Sequence, residues 1–232
     1  MEAPRLLPTA TTGGTIHDIT YRVEGELVPV LHLALGGATS VFFEHHIVLW
    51  KTPELAITLR PTKGALKRMV AGMQVFVTET QGGGQIAFSR DGAGHIFALE
   101  LAAGTGVLVR EHQFLAATSG VEYSFTRVKG AGNVLFGGSG FFIDRFACPA
   151  GPGVLWLHGY GNVFELTLGP GEVIDVEPGG WIYADESARM ETISLPLKSG
   201  VFGSGGGLFF NRFHGPGRVA IQSMYVHLPT SD

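Results

Sequence analysis

The chain has 232 residues, with 16 Lys plus Arg against 20 Asp plus Glu and a formal net charge of −4. This balance argues against a protein that binds nucleic acid through bulk positive charge. The hydrophobic fraction of 45% is large enough for a sizeable buried core. The 35 glycines and 12 prolines disfavour long helices and favour short strands joined by tight turns.

Cys148 is the only cysteine, which excludes an internal disulfide and a cysteine-based structural zinc site. A reducing compartment fits this composition. The N-terminal residues have no apolar run as long as that of a signal peptide. The longest uncharged stretch, at 146–164, contains prolines and glycines that would break a spanning helix. We therefore expect a cytoplasmic protein without a transmembrane segment.

An alternating apolar pattern occurs three times along the chain. The copies follow one another at spacings of 66 and 67 residues: Leu31, Leu33 and Leu35; Phe97, Leu99 and Leu101; Phe164, Leu166 and Leu168. Alternation with a period of two predicts a strand at each copy. A glycine-containing turn then leads into a second alternation, which begins at Val41, Val107 and Ile174. This succession of strand, turn and strand predicts a β-hairpin.

The second half of the unit is repeated as well. The run Phe-Phe-Ile-Asp-Arg-Phe at 141–146 is answered by Leu-Phe-Phe-Asn-Arg-Phe at 208–213, and both lead into Gly-Pro-Gly. The first copy is more diverged and has Glu79 where the others have Arg145 and Arg212. Lysines open the three half-units, at Lys63, Lys129 and Lys198. Three copies of one module indicate an internal repeat.

A module of about 67 residues is only marginally stable by itself, so the copies are expected to cover one another's apolar faces. We predict an all-β fold, a β-sandwich with few short helices. It forms a single domain of three repeats, at about 21–89, 90–158 and 159–228, around a pseudo-threefold axis. One short helix is predicted from the helical spacing of Leu66, Met69, Val70 and Met73. The glycine-rich segments 132–140 and 200–207 are predicted to be loops.

The sequence at 211–223, Asn-Arg-Phe-His-Gly-Pro-Gly-Arg-Val-Ala-Ile-Gln-Ser, resembles the family named for altered inheritance of mitochondria in yeast. Bacterial members form a domain of unknown function. The resemblance extends from about Tyr21 to Leu228. Members are similar in fold to the tryptophan RNA-binding attenuation protein, so the resemblance implies a β-sandwich or double-stranded β-helix with internal pseudosymmetry. It implies no reaction and no ligand.

The residues form no pattern typical of catalysis or metal binding. There is no His-x-His pair, and the adjacent His45 and His46 would point to opposite faces of a strand. Cys148 has no acid or base beside it in the sequence and is interpreted as a structural thiol. The glycine-rich loops lack the lysine and the following helix that a phosphate site needs. No catalytic residue, metal ligand or cofactor is therefore predicted.

Three functional hypotheses stay open. The first is a non-enzymatic β-scaffold that binds unknown protein partners or associates with itself. The second is binding of RNA or single-stranded nucleic acid by analogy with the attenuation protein, and the third is a cupin-like small-molecule or metal enzyme. Arg145 and Arg212 are expected to form structural ion pairs at junctions between repeats. The candidate contacts to a ligand or partner are Lys63, Lys129, Lys198, Arg145, Arg212 and His214.

Overall fold

A computed structural model of the chain describes residues 1, 3, 5–6, 13–61, 76–127, 142–195 and 208–224. Most of these residues lie in antiparallel strands, and the predicted all-β class is confirmed. Within the described ranges the one helical element is a 3-10 turn at His45–Ile47, so His45 and His46 do not lie on a strand. The helix predicted at 66–73 and the loops predicted at 132–140 and 200–207 fall outside the described residues.

The strands fall into three consecutive sets of six, which we call the thirds of the chain, after three initial strands. These initial strands are β1 (Arg5–Leu6), β2 (Gly13–Ile16) and β3 (Ile19–Glu24). The first third contains β4 (Val30–Leu35), β5 (Val41–Phe43), β6 (Val48–Lys51), β7 (Ala56–Pro61), β8 (Phe76–Gln81) and β9 (Gly84–Ser89). The second contains β10 (Gly94–Leu101), β11 (Gly106–Arg110), β12 (Phe114–Thr118), β13 (Glu122–Arg127), β14 (Phe142–Ala147) and β15 (Gly153–Tyr160). The last contains β16 (Val163–Leu168), β17 (Val173–Val176), β18 (Trp181–Asp185), β19 (Arg189–Leu195), β20 (Leu208–His214) and β21 (Gly217–Gln222).

Each set of six strands pairs in the same order. The first strand pairs with the sixth, as in β4–β9, β10–β15 and β16–β21. The second and fourth strands both pair with the fifth. The third strand pairs with the sixth through an irregular register, which lies between Val48 and Trp50 in β6 and at the corresponding places in β12 and β18. The pseudo-threefold axis and the single domain stay predictions.

The hairpin predicted at each glycine turn is wrong. β4 does not pair with β5, since β5 pairs with β8 and β12 in a different sheet. The same separation holds for β10 and β11 and for β16 and β17. Each turn therefore carries the chain from one sheet to another, and Gly104 and Gly171 adopt positive φ values of 78° and 79° there. A strand–turn–strand pattern in the sequence predicts where the chain turns, but it does not predict which strands pair.

Four sheets result, and two of them combine strands from two thirds of the chain. A six-stranded sheet has the order β10-β15-β12-β5-β8-β7, and a seven-stranded sheet has the order β1-β16-β21-β18-β11-β14-β13. The other two are a five-stranded sheet, β2-β3-β4-β9-β6, and a three-stranded sheet, β17-β20-β19.

Three apolar clusters fill the space between these sheets. The first joins the five-stranded and six-stranded sheets around Phe43, Phe88 and Trp156. A second cluster joins the six-stranded and seven-stranded sheets, and the third joins the seven-stranded and three-stranded sheets around Trp181 and Phe213. The sheets thus stack in the sequence five, six, seven and three strands, with the five-stranded and three-stranded sheets at the two ends.

Candidate interaction edges

Two ladders join neighbouring thirds of the chain, and we call them the joints. At the first joint β12 pairs with β5, with Ala117 opposite Phe42. At the second joint β18 pairs with β11, with Ala184 opposite Leu108. Each joint therefore uses the third strand of the later set and the second strand of the earlier set.

The first set has its own third strand and the last set has its own second strand, and neither takes part in a joint. Each of these two strands is unpaired along one side in the described sheets. β6 is the third strand of the first set and lies at the edge of the five-stranded sheet. β17 is the second strand of the last set and lies at the edge of the three-stranded sheet. Among the described residues no ladder connects these two strands, which we call the open edges. An unpaired edge presents a row of free N–H and C=O groups to a partner.

The open edge of β6 exposes apolar side chains that are buried at the joints. Leu49 is 56% exposed, whereas Leu115 and Ile182 occupy the corresponding positions in β12 and β18 and are completely buried. Trp50 is 41% exposed, whereas its counterparts Ala116 and Tyr183 are completely buried. Leu115 and Ala116 are buried in the cluster between the five-stranded and six-stranded sheets, and Ile182 and Tyr183 in the cluster between the six-stranded and seven-stranded sheets. The outer face of the five-stranded sheet carries no such cluster among the described residues. The exposure of Leu49 and Trp50 therefore reflects an uncovered sheet face as well as an unpaired edge.

Trp50 also contacts the outer face of its own sheet. Its ring lies 5.9 Å from that of His32 at an interplanar angle of 48°. His32 Nε2 is 3.4 Å from a carboxylate oxygen of Glu24. Burial, together with the neighbouring Arg22 cation, lowers the pKa of His32. The histidine therefore presents a largely neutral surface beside the tryptophan.

The open edge of β17 carries a negative charge held in a fixed position. The carboxylate of Asp175 accepts two hydrogen bonds of 2.7 Å from the Arg212 guanidinium on β20. These bonds lower the pKa of Asp175. On the other side of β20, His214 Nε2 lies 2.7 Å from a carboxylate oxygen of Glu191, and the pKa of Glu191 is lowered by that contact. Arg212 and His214 are therefore engaged within the three-stranded sheet.

Arg145 lies at the second joint, as expected for a structural ion pair between thirds. Its guanidinium donates two hydrogen bonds to the carboxylate of Glu186, which follows β18. Arg212 differs, because its partner Asp175 belongs to the same third. The remaining predicted contacts, Lys63, Lys129 and Lys198, lie outside the described residues. Of the predicted contacts that the structure describes, Arg145 lies at the second joint, whereas Arg212 and His214 lie in the three-stranded sheet.

The buried guanidinium of Arg90 forms hydrogen bonds at the first joint. Arg90 is nearly completely buried and donates hydrogen bonds to the Glu44 carboxylate (2.8 Å) and to the backbone carbonyl of Phe114 (3.0 Å). Its other terminal nitrogen lies 3.4 Å from His46 Nε2. Because Phe114 begins β12, this network ties the first third to the second. Arg90 was not among the residues predicted from the sequence, because one arginine after a strand forms no recognisable motif.

His158 and Gln113 lie beside this network with unpaired buried side chains. Both residues are completely buried, and neither the imidazole nitrogens nor the side-chain amide atoms have a hydrogen-bond partner. Burial and the Arg90 cation lower the pKa of His158 to about 4. Its ring packs edge-on against Tyr160 at 4.8 Å. At neutral pH this uncharged histidine contributes packing to the junction and has no imidazolium proton to donate.

The corresponding position in the last third shows how such a site can be satisfied. There Gln222 accepts a hydrogen bond of 3.0 Å from the backbone N–H of Tyr160 and donates one of 2.8 Å to the carbonyl of Gly179. Alignment of Ile86–Ser89, Leu155–His158 and Val219–Gln222 would have matched His158 with Gln222. It would not have revealed which of the two is left without partners.

The described residues show little that could carry out chemistry. No group of three His, Cys, Asp or Glu side chains in the described part of the chain could hold a metal ion. Cys148 is a free thiol with no exposed surface, and burial raises its pKa, so the reactive thiolate is disfavoured.

Comparison with known proteins adds a structural relative. The fold is similar to that in the crystal structure of protein SPYM3_0169 from Streptococcus pyogenes, with a TM-score of 0.68 and 22% sequence identity. The similarity covers 89% of this chain and 94% of the streptococcal chain. No curated protein matches this sequence. Within the described residues, no helix combines the length and the apolar character needed to span a membrane.

A family model matches almost the whole repeat region. The model is described as mitochondrial biogenesis AIM24, and it matches residues 21–224, which include all strands from β4 to β21. These bounds agree with the resemblance found from the motif at 211–223. The description names a biological process and no chemical reaction. The chain therefore belongs to the mitochondrial biogenesis AIM24 family.

Proposed function

We propose that this protein is a non-enzymatic β-scaffold that acts by binding, and that self-assembly through its open edges is the binding event. The observation that carries the proposal is the exposure of Leu49 and Trp50 at positions that are completely buried in β12 and β18. Burying a large apolar side chain contributes roughly 1.5–3 kcal/mol when it is fully exposed beforehand. Covering the partly exposed pair in β6 therefore favours association.

Three arginines that the structure describes are occupied in ion pairs, which fits a structural role. Arg145, Arg212 and Arg218 each donate two side-chain hydrogen bonds to a carboxylate. A guanidinium whose donors are already bonded to a carboxylate stabilises the fold and is not available to bind a substrate. His158 is completely buried, so its neutral imidazole has no contact with solvent or with a dissolved substrate.

Sedimentation velocity over a range of protein concentrations tests the proposal. We expect the average mass of the wild-type protein to rise with concentration, and the Leu49→Lys variant to stay monomeric. Leu59→Lys is the matched control, because Leu59 is also an exposed leucine on an edge strand, but that strand is β7 and not β6 or β17. A wild-type protein that is monomeric at every concentration contradicts self-assembly, as does equal behaviour of the two variants.

A further inference from the structure

We infer that β6 of one copy pairs antiparallel with β17 of a second copy, with Lys51 opposite Asp175 and Trp50 opposite Val176. This inference rests on the proposed self-assembly and names the surface, the partner and the register. It follows from the two joints, from the exposure of β6 and from the charges on the two open edges.

The register comes from the two ladders that already exist. Ala117 and Ala184 lie one residue after the register shift in β12 and β18, and Lys51 occupies the same place in β6. Across the joints these alanines face Phe42 and Leu108. Phe42, Leu108 and Asp175 also correspond to one another, because each lies in the second strand of its set and pairs with the same position of the fifth strand. Their partners there are Glu79, Arg145 and Arg212. Repeating the joint therefore places Lys51 opposite Asp175.

The side chains at that position are complementary. Both existing joints have an apolar pair there, Phe42 with Ala117 and Leu108 with Ala184. The open edges instead have a cation on β6 and an anion on β17, and opposite charges directly across a ladder stabilise the pairing. The next pair along places the exposed Trp50 opposite Val176, which is buried and lies on an edge strand.

The partner is a second copy because the joint is a head-to-tail contact. Each joint pairs the third strand of one set with the second strand of the set before it. The third strand of the first set, β6, and the second strand of the last set, β17, therefore take part in no joint among the described residues. The described residues of one chain show no ladder between these strands. A contact between two different surfaces of identical chains propagates, and it ends only when a ring closes.

Cysteine cross-linking tests the register with little background, because the single native cysteine, Cys148, is buried. Lys51→Cys and Asp175→Cys variants are prepared separately, mixed and oxidised. A disulfide between them can only join two copies, and residues directly opposite in an antiparallel pair come within reach of such a bond. We expect a covalent dimer from this mixture and none when Leu59→Cys replaces Lys51→Cys.

Charge reversal provides a second readout that does not depend on oxidation. Lys51→Asp alone should weaken assembly about fivefold, as expected for like charges opposite each other. Mixing Lys51→Asp with Asp175→Lys should restore assembly between the two variants. Two results overturn the inference: wild-type assembly without a 51–175 cross-link, and failure of the mixture to restore assembly. Absence of any wild-type assembly instead contradicts the proposed function itself.

Discussion

The backbone N–H of His158 donates a hydrogen bond of 2.8 Å to the carbonyl of Gln113, and the side chains of both residues are completely buried without hydrogen-bond partners. Gln222 and Gly180 repeat the backbone contact at the same distance in the last third. The side chain of Gln222 forms hydrogen bonds through both its oxygen and its nitrogen, unlike that of His158. The junction between the first and second thirds thus contains a histidine that must stay neutral.

This histidine makes the folded state sensitive to acid. The folded-state pKa of His158 is about 4, below the ordinary value of 6.5 that the unfolded chain would have. The stability associated with neutral His158 is therefore fully present above pH 6.5 and is lost as the pH falls towards 4. We expect a loss of about 3 kcal/mol over this range, measured as the free energy of urea unfolding.

His158→Gln, which copies Gln222, should remove most of that pH dependence. His214→Gln is the control, because His214 lies on β20 far along the chain from the junction and contacts Glu191 at the surface. If wild type and His158→Gln lose stability in parallel between pH 6.5 and pH 4, the buried histidine is not the acid-sensitive group.

Gly94 should not tolerate a side chain. A Cβ at this position would overlap the carbonyl oxygen of Gly159 and the Nε2 atom of His158. The first of these is a backbone atom on the paired strand, so it cannot move without breaking the ladder between β10 and β15. Gly94→Ala is expected to destabilise the protein by about 1–3 kcal/mol. Gly120→Ala is the control, because a Cβ there meets no atom within 4 Å; equal melting temperatures for the two variants would refute the overlap.

Leu115 and Leu49 should separate stability from assembly. Leu115→Ala removes a completely buried side chain and should cost about 2–5 kcal/mol in unfolding free energy. Leu49→Ala removes a side chain that is 56% exposed, so its cost should be below about 1 kcal/mol while assembly weakens. Urea titration at a concentration below assembly and sedimentation above it provide the two measurements. A large loss of stability for Leu49→Ala would mean that β6 is already covered within the chain.

The protein should not bind RNA through the arginines that the structure describes. Arg145, Arg212 and Arg218 already engage carboxylates, and releasing them would cost the hydrogen bonds that hold them. A fluorescence titration with mixed-sequence RNA is expected to show no binding at 50 mM salt. Binding whose affinity falls steeply as salt increases would show real phosphate contacts and would support the RNA hypothesis.

The strands themselves were predictable from periodicity, but their partners were not. Leu31, Leu33 and Leu35 lie in β4 as expected, because alternation marks a half-buried strand wherever it pairs. The hairpin with β5 failed because the turn between them joins two sheets. Periodicity reports which face of a strand is buried and contains no information about which strand lies beside it.

The open edges could not be found from sequence for a related reason. Val48-Leu49-Trp50 is as apolar as Phe114-Leu115-Ala116, so the two segments look equivalent before folding. Their difference arises because β12 lies between β15 and β5 and is packed on both faces, whereas in the described part of the chain β6 is an edge strand of an end sheet. The family was recognisable, since the motif around Arg212 and Gly217 is specific, but that motif lies away from β6.

The exchange of strands at the two joints also determines how this protein can be divided. A fragment containing one set of six strands would retain half of a sheet on each side, with the apolar surfaces of Phe42 or Leu108 left uncovered. A chain cut between two sets would therefore have to rebuild these ladders as contacts between separate polypeptides.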